Sequence, residues 1–159
     1  LPAGHDKATE ERAFAMFNEY YSRHKCDHTK PYPGMPELIR DIKAQGVVCG
    51  ANSNKADEFT RELIRLNYGD EFDQVIGFGA GFQPKPDPGA ALEIIRRTGV
   101  KPEQALYVGD SDVDIMTGHN AGISVCAALW GFRSYDELAA QSPTFFAHNA
   151  EELKKIILG

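Results

Sequence analysis

The sequence predicts an α/β protein built on a parallel sheet with helices on both faces. Short apolar stretches alternate with helical segments from about residue 36 to the end of the chain, a pattern typical of parallel sheets. The 159 residues are 42% hydrophobic and 25% charged, which is the balance of a globular domain with a substantial core. The net charge of −6 argues against a general nucleic-acid or membrane-surface binder, because such proteins need a basic face.

The first elements of the chain are expected to be helical. Residues 6–25 carry apolar side chains at three- and four-residue steps, which predicts an amphipathic helix. Prolines and a glycine break the chain between residues 26 and 36, so this segment is expected to be a connector. A second helix is expected from Pro36, a residue tolerated in a first turn, to about Gln45, with Gly46 ending it.

Strands and helices alternate over the rest of the chain. The predicted strands are short and apolar, and the helices are bounded by glycine, proline or polar residues. Strands are expected at residues 46–51, 74–78, 105–108, 124–129 and 145–147. Helices are expected at residues 55–67, 88–98, 112–121, 134–140 and 150–158. In a sheet of this kind a ligand binds beyond the carboxyl ends of the strands.

Polar residues follow the first two predicted strands. Asn52, Ser53 and Asn54 follow the first strand, where a hydroxyl and amides either bind a phosphate oxygen or simply cap the next helix. Lys85 follows the second strand and is flanked by two prolines. The prolines stiffen its loop, so the ammonium group is either held at one point or is an ordinary solvated lysine between turn residues.

Three carboxylates follow the third strand, because Asp110, Asp112 and Asp114 lie within five residues. If a helix begins by Asp112, the side chains of Asp110 and Asp114 face the crevice and that of Asp112 faces solvent. Such oxygen ligands suit Mg²⁺, which takes only one or two protein carboxylates; a purely structural acidic turn is the alternative. Together, the hydroxyl, the lysine and the acidic pair predict phosphoryl transfer.

These motifs, with the segments 31–38 and 130–133, resemble the haloacid dehalogenase superfamily of hydrolases and, within it, the phosphoglycolate phosphatase-like branch. The acidic motif and the lysine loop are the specific parts of the resemblance. It implies a three-layer, Rossmann-like core at residues 31–159 and the C-terminal part of a helical cap at residues 1–30. It also implies a Mg²⁺-dependent phosphatase that hydrolyses a small phosphate monoester, of the phosphoglycolate type, through an aspartyl-phosphate.

The resemblance also implies a role for each candidate residue. Ser53 would bind the transferring phosphoryl group, and Asn54 would help to position it. Lys85 would bridge the phosphoryl group and the nucleophile. Asp110 would bind Mg²⁺ directly, and Asp114 would either contact water molecules on the metal or orient Lys85.

One departure from the family pattern affects catalysis. Family members begin with a strand that ends in Asp-x-Asp, whose first aspartate is the nucleophile, and the sequence contains no such strand. In this fold that strand lies at the centre of the sheet, between the predicted strands at 46–51 and 105–108. We therefore expect the chain, which begins at Leu1, to be the C-terminal part of a longer phosphatase. Alone it should be inactive and poorly stable, because two strand edges would lie open.

Several alternatives stay open at this point. A phosphonatase or a sugar-phosphate mutase would share these core motifs, and a catalytically silent homologue or another non-catalytic binding module would not perform the reaction. The expected partner is a small phosphorylated metabolite, with no nucleic acid and no membrane. Three cysteines, an odd and sparse number, and no visible signal peptide predict a cytoplasmic protein.

Overall fold

The chain divides into two compact units, Leu1–Lys30 and Pro31–Gly159. The computed structural model describes residues 6–9, 12–13, 16 and 29–159. No helix within these described residues is long and apolar enough to cross a membrane.

Part of the first helix expected from the sequence is described. Residues 7–9, 12–13 and 16 are helical. The carboxylate of Asp6 accepts a hydrogen bond from the backbone N–H of Thr9 at 2.7 Å, which is the usual N-cap interaction. The other residues of the helix predicted at 6–25 lie outside the described residues.

The second unit contains six described helices and five described strands. The helices are α1 (Met35–Ala44), α2 (Asp57–Tyr68), α3 (Gly89–Thr98), α4 (Asp112–Asn120), α5 (Tyr135–Ala139) and α6 (Ala150–Leu158), with a 3₁₀ turn at Pro102–Gln104. The strands are β1 (Gly50–Ala56), β2 (Gln74–Phe78), β3 (Leu106–Gly109), β4 (Ser124–Ala128) and β5 (Phe145–Ala147). The predicted α/β class and the alternation of elements are confirmed.

The strands form two parallel sheets. β1 pairs with β2, and β4 lies between β3 and β5. Within the described part of the chain, no ladder joins β1 to β3. In the described part of the chain the edge strands are thus β1 and β2 in one sheet and β3 and β5 in the other, and β1 does not pair with β3.

The strand expected at residues 46–51 is wrongly placed, because β1 begins at Gly50 and runs to Ala56. The ladder begins where β2 begins, with Gly50 opposite Gln74. Just before that point, the backbone of Cys49 is bound by one residue: its N–H donates to the carboxylate of Asp73 and its carbonyl accepts from the N–H of Asp73, both at 2.8 Å. The polar residues 52–55 therefore lie within the strand and not after it.

The buried strand β4 separates two layers of helices. Cys126 packs on one side with residues of α1 and α6, such as Ile42 and Leu153. Its neighbour Val125 packs on the other side with residues of α4 and α5, such as Ile115. Successive side chains of a strand point to opposite faces, so this alternation produces the three-layer arrangement expected from the sequence.

Candidate active site

Three segments of the second unit converge on one open cleft of about 510 Å³. They are strand β1, the proline-flanked loop around Lys85, and the turn between β3 and α4, with one residue from the loop that follows β4. The lining residues are Ser53, Asn54, Lys55, Lys85, Asp110, Ser111, Val113, Asp114 and Phe132. The structure thus brings together the serine, the lysine and the two aspartates that the sequence singles out.

Asp114 lies in the first turn of α4 and is almost completely buried. Its Oδ2 atom accepts hydrogen bonds from the hydroxyl and the N–H of Ser111 at 2.6 and 3.2 Å and from the N–H of Asp110 at 3.3 Å. The hydroxyl of Ser111 in turn accepts from the N–H of Asp114, which completes a capping box. Asp114 therefore fixes both the start of the helix and the acidic turn before it.

The other oxygen of Asp114 pairs with Lys85. The distance from Lys85 Nζ to Asp114 Oδ1 is 2.5 Å, and both side chains are largely buried. A buried ion pair of this kind is costly to break from one side, because a buried charge is then left without its partner. The pair holds the ammonium group inside the cleft.

The backbone of the lysine loop is held by two asparagines. The amide of Asn54 accepts from the N–H of Lys85 at 2.7 Å and donates to the carbonyl of Lys85 at 3.3 Å. The amide of Asn120, at the end of α4, donates to the carbonyl of Pro86 at 2.9 Å, and the Lys85–Pro86 peptide bond is cis. The two side-chain amides therefore anchor the backbone of this loop at Lys85 and at Pro86.

Asp110 is fixed by a different set of donors. Its Oδ2 atom accepts hydrogen bonds from the hydroxyl of Tyr32 and from the N–H of Phe132, both at 3.1 Å, and its carbonyl accepts from the N–H of Arg133 at 3.2 Å. Asp112 is turned away from the cleft and pairs with the guanidinium of Arg133 at 3.2 Å. This matches the expected division between Asp110 and Asp114 on one side and Asp112 on the other.

Two glycines leave room for the two cleft aspartates. A Cβ atom on Gly109 would overlap the side chain of Asp114, and a Cβ atom on Gly131 would overlap the side chain of Asp110. Neither glycine has a positive φ angle, so the requirement is one of space and not of backbone conformation. Any larger residue at either position would displace a carboxylate.

Ser53 contributes a hydroxyl from within β1. Its Oγ atom accepts a hydrogen bond from the N–H of Lys55 at 3.1 Å. The residue that precedes α2 is Ala56, which makes no side-chain capping bond, so helix capping does not explain the polar segment at 52–55. Asn52 instead donates to the hydroxyl of Tyr107 at 3.3 Å, a side-chain link between β1 and β3.

Two tyrosine hydroxyls near the cleft have a pKa above the ordinary value. Burial raises the pKa of Tyr32, and the charge of Asp110 and its hydrogen bond to Tyr32 raise it further. Burial also raises the pKa of Tyr107, with a smaller contribution from the charge of Asp114. A tyrosine is protonated at neutral pH already at its ordinary pKa of about 10, and these upward shifts extend that state to higher pH, so the hydroxyl of Tyr32 can act as a hydrogen-bond donor.

The carboxylates of the cleft fit a magnesium ion in their chemistry. Mg²⁺ is bound by oxygen ligands, with one or two carboxylates from the protein and water molecules completing the shell. None of the described residues donates a hydrogen bond to Asp110 Oδ1, so this oxygen is available as a ligand. The described part of the chain contains no group of three or more acidic, histidine or cysteine side chains that could hold a metal. Among the described residues, Asp110 and Asp114 are the carboxylates that line the cleft.

Comparison with known proteins identifies the family. The model of the haloacid dehalogenase-like hydrolase family matches residues 3–128. The chain belongs to this family. Over 153 residues it is 34% identical to phosphoglycolate phosphatase of Aquifex aeolicus and 33% identical to phosphoglycolate phosphatase 1 of Pseudomonas aeruginosa.

A solved structure agrees with this assignment. A crystal structure of a protein of Lactobacillus delbrueckii subsp. bulgaricus superposes with a TM-score of 0.91 at 31% identity and covers 100% of this haloacid dehalogenase-like chain. The chain spans only part of each relative: 70% of the Aquifex protein, 56% of the Pseudomonas protein and 66% of the Lactobacillus protein.

Several residues of the site carry no strong signal in the sequence. Tyr32, Asn120, Gly109 and Gly131 each position a cleft residue, yet each is an ordinary connector, helix-end or turn residue when considered alone. The hints are the proline and glycine residues around Tyr32, the segment 130–133 and the place of Gly109 in the acidic motif. They belong to the family resemblance, but the contacts of Tyr32 and of the segment 130–133 with Asp110 depend on chain segments about 80 and 20 residues apart, which no local pattern can reveal.

Proposed function

We propose that this chain forms the larger part of a Mg²⁺-dependent phosphatase that hydrolyses a small, anionic phosphate monoester of the phosphoglycolate type. The observation that carries the proposal is the shared cleft, in which Ser53, Lys85, Asp110 and Asp114 all have access to one small volume. Two relatives that are phosphoglycolate phosphatases support the substrate class. The expected location, the cytoplasm, is part of the same proposal.

Ser53 and Lys85 would hold the phosphoryl group. The Oγ atom of Ser53 already accepts a hydrogen bond from the chain, so its own hydrogen can donate to a phosphoryl oxygen. Lys85 has three N–H donors, of which one is directed at Asp114, so the others can serve the same oxyanion. Asn54 would act through Lys85, because both polar atoms of its amide bind the Lys85 backbone.

Asp110 and Asp114 would hold Mg²⁺, which when bound offsets the negative charge of the phosphate. Asp110 would supply Oδ1, the oxygen to which no described residue donates. Asp114 would act mainly on water molecules around the ion and on Lys85, since both of its oxygens already have protein partners.

The nucleophile would come from a carboxylate on a further strand that pairs with β1 and β3. The absence of a ladder between these two strands in the described part of the chain supports this proposal. So does their exposure: neither β1 nor β3 contains a fully buried residue, whereas inner strands of parallel sheets are normally covered on both faces. That carboxylate would attack phosphorus as the ester P–O bond breaks, and the alcohol would take up a proton as it leaves. Water would then hydrolyse the aspartyl-phosphate, which releases inorganic phosphate and restores the carboxylate.

Phosphate release from 2-phosphoglycolate tests the proposal. We would compare the chain alone with a fusion that carries the N-terminal segment of the Aquifex aeolicus relative. Only the fusion should be active, and its activity should require Mg²⁺ and be abolished by Asp110→Asn. Lys85→Ala should lower its rate by several orders of magnitude, whereas Lys154→Ala, at a surface lysine, should not.

Three results would argue against specific parts of the proposal. Activity of the chain alone would show that no further strand is needed. Near-native turnover of Lys85→Ala in the fusion would remove Lys85 from the chemistry. Activity on other monoesters but not on 2-phosphoglycolate would overturn the substrate class while leaving the phosphatase assignment in place.

A further inference from the structure

Two segments of the chain, one around Tyr32 and one around Lys85, have the same pattern of flanking prolines. Tyr32 stands between Pro31 and Pro33, just as Lys85 stands between Pro84 and Pro86. A proline fixes its own φ angle and restricts the residue before it to extended conformations. In both segments the backbone is therefore confined before the side chain reaches into the site.

Each of the two side chains binds one of the two cleft carboxylates. Lys85 Nζ contacts Asp114 Oδ1 at 2.5 Å, and the hydroxyl of Tyr32 contacts Asp110 Oδ2 at 3.1 Å across 78 positions of sequence. The segment of Tyr32 is also closed by a turn, in which its carbonyl accepts from the N–H of Met35 at 3.1 Å. The backbone that carries the tyrosine hydroxyl is thus constrained by the flanking prolines and by this turn.

The hydroxyl of Tyr32 determines which oxygen of Asp110 stays available. It shares Oδ2 with the N–H of Phe132, and two donors on the same oxygen fix the plane of the carboxylate. Among the described residues no donor reaches Oδ1. The backbone N–H alone would leave the carboxylate free to rotate about its χ2 torsion, which is broad in aspartate.

We infer that Tyr32 is a positioning residue for the cation site: its hydroxyl holds Asp110 so that Oδ1 is presented to a divalent cation. The inference rests on the proposed function, because it assigns a partner to the residue that would bind Mg²⁺ directly. It predicts that removal of one hydroxyl weakens cation binding without removing any ligand. Partners of this kind typically contribute about ten- to a hundredfold to metal affinity.

Binding of Mn²⁺, a paramagnetic stand-in for Mg²⁺, tests the inference on the fusion that carries the N-terminal segment of the Aquifex aeolicus relative. The loss of the free Mn²⁺ signal in electron paramagnetic resonance would be followed for the wild type, Tyr32→Phe, Asp110→Asn and the control Tyr135→Phe. Tyr135 is exposed like Tyr32, but its ring packs against Phe146, whereas the hydroxyl of Tyr32 bonds to Asp110. We expect Tyr32→Phe to raise the Kd about tenfold, Asp110→Asn to abolish binding and Tyr135→Phe to leave the Kd unchanged.

The possible outcomes separate the inference from the proposed function. If Tyr32→Phe binds Mn²⁺ like the wild type while Asp110→Asn does not bind, the tyrosine has no positioning role and the cation site stands. If the wild type and Asp110→Asn are indistinguishable, the cation site itself is refuted, and the inference with it. A lower unfolding temperature of metal-free Tyr32→Phe together with an unchanged Kd would mark the hydroxyl as purely structural and would also overturn the inference.

Discussion

Replacement of Lys85 by methionine measures how strongly the ion pair with Asp114 stabilises the cleft. Methionine keeps a similar length and removes the charge, so Asp114 is left as a buried carboxylate without a cation. The two side chains retain only 15% and 9% of their exposure. Sequence motifs alone give Lys85 a purely chemical role, whereas this burial gives it a structural one as well.

The size of the effect follows from the partners that Asp114 keeps. Breaking a buried ion pair from one side costs roughly 3–5 kcal/mol. Asp114 Oδ2 retains its hydrogen bonds from Ser111 and from the N–H of Asp110, so we expect the lower end, about 3 kcal/mol. At ~2–4 °C per kcal/mol for a domain of this size, the unfolding temperature should fall by roughly 6–12 °C.

A double-mutant cycle is the appropriate assay. Urea unfolding of the wild type, Lys85→Met, Asp114→Asn and the double variant would be followed by circular dichroism. Because the residues are in contact, we expect the double variant to lose at least about 1 kcal/mol less than the sum of the single losses. The control is Lys154→Met, which breaks the more exposed pair with Asp41 and should cost less than about 1 kcal/mol.

Additivity would refute this argument. If the losses of the two single variants sum to that of the double variant within ~0.5 kcal/mol, Lys85 and Asp114 do not interact in solution. A loss for Lys85→Met no larger than that for Lys154→Met would lead to the same conclusion, and Lys85 would then be a surface lysine near the cleft.

Three further predictions concern the space beside Asp110, the pH dependence of stability and the reactivity of a buried thiol. Gly131→Ala should abolish Mn²⁺ binding while the circular dichroism stays native, because the new Cβ displaces Asp110; unchanged binding would contradict the observed overlap. Burial alone would raise the pKa of Asp73, but the hydrogen bonds from Lys43 and from the N–H of Cys49 outweigh burial and lower the pKa. The ionised carboxylate of Asp73 therefore stabilises the fold at neutral pH, and this stabilisation is lost as the pH falls below about 4. The free energy of unfolding of Asp73→Asn should therefore change less between pH 5 and pH 2 (roughly the window of carboxyl titration) than that of the wild type, and equal changes would refute the assignment. Burial raises the pKa of the Cys49 thiol to about 11. Iodoacetamide at pH 8, about half a unit below the pKa of a free thiol, should therefore label Cys49 only after unfolding. Labelling of Cys49 in the native state would contradict its burial.

Much of the fold follows from local sequence signals. The strands at Gln74–Phe78 and Phe145–Ala147 and the helix at Ala150–Leu158 have the predicted bounds, because apolar runs and turn residues coincide there. Strand β1 was misplaced since its pairing with β2 decides where it starts. The apolar run at residues 47–49 predicts a strand but does not reveal the register of a ladder that forms with a segment more than twenty residues away. Within this run Cys49 is buried and Val48 is exposed.

The sequence predicts the charged residues of the site but not the residues that hold them in place. Asp110, Asp114 and Lys85 stand out because charged residues at strand ends are conspicuous in a sequence. Asn120 does not stand out, because an asparagine at a helix end has a common local explanation. Its contact with the carbonyl of Pro86 depends on how α4 lies against the lysine loop, which only the tertiary structure determines.

The separation of β1 from β3 has a thermodynamic consequence. A segment that pairs with both edges binds the folded chain and not the unfolded one, so it stabilises the fold by mass action. Under the proposed function, the free energy of unfolding of this chain would therefore depend on whether that pairing segment is present. Without such a segment, the backbone amides along these two edges should exchange faster with solvent than those of β4, which is paired on both sides.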